Sequence, residues 1–213
     1  PFLEHLVAIH TYDWRRLPTN VFQAPLADPQ QAARWQVNWW SSVWRSDRLE
    51  PVPLLALAER WLREHLPTTR ELVLVHADYR TGNFLFDEAQ GEITAILDWE
   101  LAHIGDYHQD LAWIAIRSWS QVVDGCLLAS GLLPVTALCE RYAAATGRVV
   151  DLRTFHFYQV LGLYQCALIC LGTSLRAAHG AHNHQDALLS WLGAAGYAFM
   201  NDLADALEQE PTA

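Results

Sequence analysis

Val75-His76-Ala77-Asp78-Tyr79-Arg80-Thr81-Gly82-Asn83, with Ile96-Leu97-Asp98-Trp99-Glu100 further on, is the part of the chain whose pattern decides the rest. It sets an H-x-D-x-x-x-x-N loop ahead of a second acid that ends an apolar run. Phosphoryl transfer divides its labour over such a pattern. One Asp accepts the proton of the attacking hydroxyl, while an Asn and a later Asp hold metal ions on the nucleotide phosphates. A transferring phosphoryl group needs positioning and charge neutralisation more than covalent help, so one base and two metal ligands suffice. The spacing predicts strands over 83–87 and 93–98, joined by a turn at Glu88-Ala89-Gln90-Gly91. That hairpin puts Asn83 and Asp98 at the same end.

Working outward, helical periodicity is expected over 2–10, 30–44, 54–66, 109–119, 122–130, 135–146, 152–177 and 184–207, with strands at 72–76, 84–86 and 93–97. Residues 177–186 read as a polar loop between long helices, and 202–210 as an acidic, fraying tail. The fold class expected is α+β and mostly helical, a small β-hairpin carrying the catalytic loop. Trp35, Trp39, Trp40 and Trp44 fall at helical spacing and read as core, with one or two rings lining an acceptor cleft.

Composition narrows the classes. With 52% hydrophobic and 18% charged residues, 213 residues can bury a sizeable core as one domain or one large lobe. A formal charge of −10 disfavours a nucleic-acid partner or an acidic membrane, because both demand a basic surface. No transmembrane run or signal peptide is read, so a reduced cytoplasm is the default expectation. Cys126, Cys139, Cys166 and Cys170 lack metal-ligand spacing, and the last two read as buried thiols.

The chain has no lysine; its fourteen basic residues are all arginine. It also has no G-x-G-x-x-G and no G-x-x-x-x-G-K-[ST]. Protein kinases use a strand Lys and a glycine-rich loop to hold the nucleotide phosphates. Residues 1–213 are therefore expected to be the carboxyl-terminal lobe of a two-lobe phosphotransferase, its amino-terminal nucleotide-binding lobe absent.

The motifs resemble those of the aminoglycoside phosphotransferase and choline kinase superfamily. His76-Ala77-Asp78-Tyr79-Arg80-Thr81-Gly82-Asn83 is similar to its H-G-D-x-x-x-x-N, and Leu97-Asp98-Trp99-Glu100 to its L-D-W-E/D. Ile104 to Trp113 resembles its x-G-D-P-x-x-D-L-A-W. The run Trp61-Leu62-Arg63-Glu64-His65-Leu66-Pro67 looks most like the branch related to kinase domains fused to acyl-CoA dehydrogenases. The resemblance covers the chain to about residue 200. It implies a bilobal kinase-like fold, ATP and Mg2+ as cofactors, and a small molecule with a hydroxyl as acceptor. Two departures stand out. Ala77 replaces a glycine, and Tyr107 replaces a proline, which is expected to loosen that turn.

On these grounds Asp78 is the candidate base, and Asn83 and Asp98 are the candidate magnesium ligands, both hard oxygen donors. Glu100, sharing a face with Asp98 in an extended strand, either supports a second metal or orients the acceptor. Arg80 either neutralises the transferred phosphoryl or contacts another acid. His76, Asp106 and Asp110 are given structural support of the loop. Two rivals remain. A non-catalytic kinase-like binding module would cover its apolar lobe-facing surface, for example as a homodimer. A metal-dependent hydrolase would be built on His179, His182, His184 and Asp186.

Overall fold

The structure is a computed structural model, and it describes residues 1–18, 21–47, 50–180 and 184–209. Two separate antiparallel strand pairs lie among helices. β1 (Leu72–Val75) pairs with a later strand, His103–Asp106, Val73 standing opposite Gly105. Between them β2 (Phe84–Asp87) pairs with β3 (Glu92–Ile96), Phe84 opposite Ile96; the His103–Asp106 strand is thus β4. The turn of the inner hairpin closes on Gly91, whose φ is +70° and whose N–H bonds Asp87 O at 2.8 Å. Residues 76–83 leave β1 and enter β2, so the motif loop bridges one strand pair to the other.

Helices make up most of the remainder: α1 (Phe2–Thr11), α2 (Gln31–Asp47), α3 (Pro53–Glu64), α4 (His108–Ile114), α5 (Val135–Thr146), α6 (Leu152–Gly180), α7 (His184–Leu189) and α8 (Leu192–Glu208). The expected mostly helical α+β class holds. α6 is the axis of the fold, packing against α2, α3, α4, α7 and α8. Phe157, Leu161, Tyr164 and Leu168 on successive turns are all buried. A helix apolar on every side belongs in a core. By length and composition α6 could nonetheless cross a membrane, contrary to the sequence expectation; 72% of its most apolar stretch is buried inside the fold.

Four local expectations are corrected. Residues 122–130 are strands: β5 (Gln121–Val123) and β6 (Cys126–Ala129), with β7 (Leu133–Pro134) added beyond. Asp124 and Gly125 both have positive φ, +50° and +77°, the pair of left-handed residues that a two-residue hairpin turn needs. The helix expected over 109–119 stops at Ile114, and a separate 3-10 turn covers Arg117–Trp119. Ser130 N donates to Ile114 O at 3.0 Å, so the small sheet satisfies a carbonyl at the helix end. The acidic end is an ordered helix to Glu208, with Leu203 and Ala206 buried. In the expected 177–186 loop, α6 runs on to Gly180 and α7 starts at His184; His182 lies outside the described residues.

The turn at Tyr107 is not loosened either. Its φ of −61° is one proline would adopt, the ring is buried, and its hydroxyl donates to Val149 O at 2.7 Å. Trp40 and Trp44 are core, while Trp35 and Trp39 reach the surface.

Candidate active site

Asp78 follows β1 with its side chain 13% exposed. Its Oδ1 accepts from Trp113 Nε1 at 2.8 Å and from Arg80 Nε at 2.9 Å; its Oδ2 accepts from Asn83 Nδ2 at 2.6 Å. Asn83 Nδ2 also donates to the Asp78 carbonyl at 2.9 Å. Two oxygen partners dictate that the Asn83 amide turns its nitrogen inward, leaving Oδ1 for another ligand. A carboxylate has about four acceptor positions, so three donors still leave one on Oδ2 for a hydroxyl. Of the two alternatives for Arg80, the structure shows the acid contact, and the acid is Asp78 itself.

The backbone beneath is held by Asp110 from α4. Its Oδ2 accepts from His76 N at 2.8 Å and its Oδ1 from Ala77 N at 2.7 Å. His10 of α1 places Nε2 3.0 Å from Asp110 Oδ2, and Tyr142 stands behind at 2.8 Å from His10 Nδ1. Burial raises the Asp110 pKa, but the hydrogen bonds from His10 and from the His76 backbone N–H, with the charge of His10, outweigh it, and the carboxyl ends below its ordinary value. The clamp matters because Ala77 is left-handed, with φ +67°. That is where a glycine would sit without cost, and alanine holds it against roughly 1 kcal/mol of strain.

His76 links the two strand pairs. Its Nδ1 accepts from Asp78 N at 3.2 Å, so the ring proton is on Nε2 and goes to Leu97 O at 3.0 Å. Leu97 N in turn donates to Asn83 O at 2.8 Å. Asp98 comes next, also left-handed with φ +67° and ψ +53°, and turns the chain out of β3. Its carboxylate is exposed and makes no hydrogen bond or ion pair among the described residues. A 3-10 turn, Trp99–Leu101, follows, so Asp98 and Glu100 do not share a strand face as expected. Glu100 lines a cleft of ≈ 440 Å³ beside the loop, together with Ala77, Trp35, Trp39, Trp40 and Gln165.

Among the described residues no three His, Cys, Asp or Glu side chains gather into a metal-holding group. Magnesium does not require one, since it is commonly held by one or two protein oxygens together with substrate phosphates. Asn83 Oδ1 and the unpaired Asp98 carboxylate fit that need. Asp106 faces elsewhere: its Oδ1 lies 2.6 Å from His108 Nδ1, and His108 Nε2 accepts from Asp151 N at 3.0 Å. That pair borders a second cavity of ≈ 460 Å³ with Arg148 and Thr68, and none of the residues 76–83 reaches it.

A sequence model of the phosphotransferase enzyme family matches residues 2–147, which include the loop, the hairpin and α4. The chain belongs to that family. Among curated family relatives, acyl-CoA dehydrogenase family member 11 of Homo sapiens is 27% identical over 161 residues, covering 72% of this chain and 21% of that protein. Family member 10 of Mus musculus is 26% identical over 153 residues, covering 68% of this chain and 14% of that protein. The chain therefore spans a minor part of the length of these relatives, and the resemblance to the branch fused to acyl-CoA dehydrogenases holds. In fold it is similar to a Ralstonia eutropha protein assigned as an aminoglycoside phosphotransferase, with a TM-score of 0.69 at 21% identity. That alignment covers 94% of this chain and 64% of the other. A macrolide 2'-phosphotransferase type I gives a TM-score of 0.60 at 20% identity, over 91% of this chain and 56% of its own. The kinase-like fold of the family is thus present, and this chain aligns with little more than half of either structure.

Four residues at the site were given no role from the sequence: Trp113, His10, Tyr142 and Gln165. Trp113 was legible as the last residue of the D-L-A-W run, three positions after Asp110 and so on the same helix face. Nothing local marks the other three.

Proposed function

We propose that this lobe transfers the γ-phosphoryl group of ATP, with Mg2+, to a hydroxyl of a small molecule. One observation carries the proposal: Asn83 joins the candidate base to the candidate metal end of the hairpin. Its Nδ2 holds Asp78, and its backbone oxygen accepts from the N–H of Leu97, the residue before Asp98.

In this scheme Asp78 Oδ2 accepts the proton of the acceptor hydroxyl as the oxygen attacks. Trp113 and Asn83 keep the carboxylate from rotating. Asn83 Oδ1 and Asp98 would hold magnesium, which when bound would neutralise phosphate charge. Arg80, paired with Asp78 here, has the reach of a flexible side chain and would move onto the transferred phosphoryl. Glu100 belongs with the acceptor, because it lines the cleft. A strand lysine and a glycine-rich cover are missing from the composition, so a second lobe outside residues 1–213 would supply them.

The test is a titration of ATP with magnesium into this chain and into a form extended by its upstream coding sequence. Binding by the extended form, abolished by Asp98→Ala, is the expected result. In the same form Asp78→Asn lowers phosphoryl transfer by about 10²–10⁴, the span of general-base catalysis, while nucleotide binding persists. No nucleotide binding by either form would overturn the proposal and leave a non-catalytic binding module.

A further inference from the structure

The ≈ 440 Å³ cleft beside Ala77 has an uneven chemistry. Trp35, Trp39 and Trp40 of α2 supply flat apolar surface. Among the described residues Glu100 is the one carboxylate lining it, and burial lowers the pKa of the His103 ring, which also lines it, favouring the uncharged form. Gln165 of α6 also lines it. This side chain is 1% exposed, and its Nε2 has no hydrogen-bond partner. An unpaired buried amide nitrogen is costly and uncommon in folded proteins, which makes it a pointer to a missing partner. Ala77, the residue before the candidate base, lines the same cleft.

Resting on the phosphotransferase function proposed above, we infer that this cleft holds the acceptor alcohol and that Gln165 sets its selectivity. The fitting molecule is uncharged, with an apolar body against the tryptophans and an oxygen that the Gln165 amide binds. Rotation about the terminal side-chain torsion brings the amide N–H to that oxygen. A polyamine fits poorly. Indoles attract a single cation, but several ammonium groups would share one carboxylate and would face an N–H donor.

The experiment measures binding alone, without nucleotide, by tryptophan fluorescence and calorimetry. Methyl 3-hydroxyoctanoate serves as the uncharged alcohol probe and kanamycin as the polycationic one. The ester is expected to bind at least about tenfold more tightly, the worth of one well-placed hydrogen bond. Gln165→Met should weaken the ester about tenfold while keeping or raising the thermal midpoint, because it removes an unpaired polar group without a large change in volume. A purely structural glutamine would not separate the two readouts. Trp39→Ala, at an exposed position, keeps the fold and should weaken the ester by about threefold. Absence of ester binding, equal or tighter kanamycin binding, or an unchanged affinity in Gln165→Met would each overturn the inference. Ester binding that depends on Gln165, in a protein whose extended form binds no ATP, would instead sink the phosphotransferase proposal and leave the cleft assignment standing.

Discussion

The indole N–H of Trp113 donates to Asp78 Oδ1 at 2.8 Å, from the last turn of α4 to the loop after β1. Arg80 approaches the same oxygen at 2.9 Å. The two donors differ in exposure. Trp113 is buried, whereas the Arg80 side chain is one-third exposed. In the proposed scheme, where Arg80 leaves for the phosphoryl group, Trp113 is the buried partner that stays on Asp78 Oδ1.

Trp113→Phe should keep most of the packing and remove that partner. In a form competent for transfer, kcat is expected to fall about tenfold, with the acceptor KM changed less than twofold, as for a group that acts through orientation. Steady-state kinetics on the variant checks this, together with a urea midpoint showing a stability loss of about 1 kcal/mol. An unchanged kcat would remove Trp113 from the site.

Ala77 should tolerate glycine but no branched side chain. With φ at +67°, Ala77→Val is expected to destabilise by about 2 kcal/mol or more, while Ala77→Gly stays within about 0.5 kcal/mol of the parent. Chemical denaturation of the two variants decides. A valine variant as stable as the parent would mean that the loop is not left-handed there.

Asp110 should make the fold acid-sensitive. Its folded pKa lies below the ordinary carboxylate value, so near that value the unfolded chain binds more protons than the folded one. Stability from this group is therefore present above about pH 4 and is lost as pH falls through the lower folded pKa. Asp110→Asn should cost about 3–5 kcal/mol at neutral pH, since it strips a buried charge from His10 and the loop N–H groups. Urea unfolding between pH 3 and pH 7 gives both results; a parent whose stability rises below pH 4 would contradict the sign.

The parts legible in the sequence are those encoded over short separations. The β2–β3 pairing follows from two alternating runs around Gly91, and α1, α3, α5 and the long α6 follow from helical spacing of apolar residues. Residues 122–130 form strands where helical spacing was expected, because their apolar content suits either period. The decisive signal was the Asp124-Gly125 pair, which supports two consecutive positive φ values. Asp98 also defeats pattern reasoning, since its left-handed turn separates it from Glu100 although both sit in what looks like a continuing strand. At the site, Asp78, Asn83 and Asp98 stand out through spacing. The contacts of Asp110 with His10 and of Asp78 with Trp113 join residues 100 and 35 positions apart, and no local period encodes such pairs. Gln165 is harder still: it is one of several polar residues along α6, and only the fold shows that its side chain is buried.

The two strand pairs belong to different sheets. Asp78 is anchored to the first through β1 and the Asp110 clamp, and Asp98 leaves the second at the end of β3. Where the sheets meet, the His76 ring bonds Leu97 O, and the backbone of Leu97 bonds Asn83. The candidate base and the candidate metal end therefore stand on different sheets, tied together by the imidazole of His76 and by Asn83. A tilt of the hairpin would reach Asp78 by two routes, the buried ring and the Asn83 amide, and loosening both would let the two candidate groups drift out of step while each stayed intact.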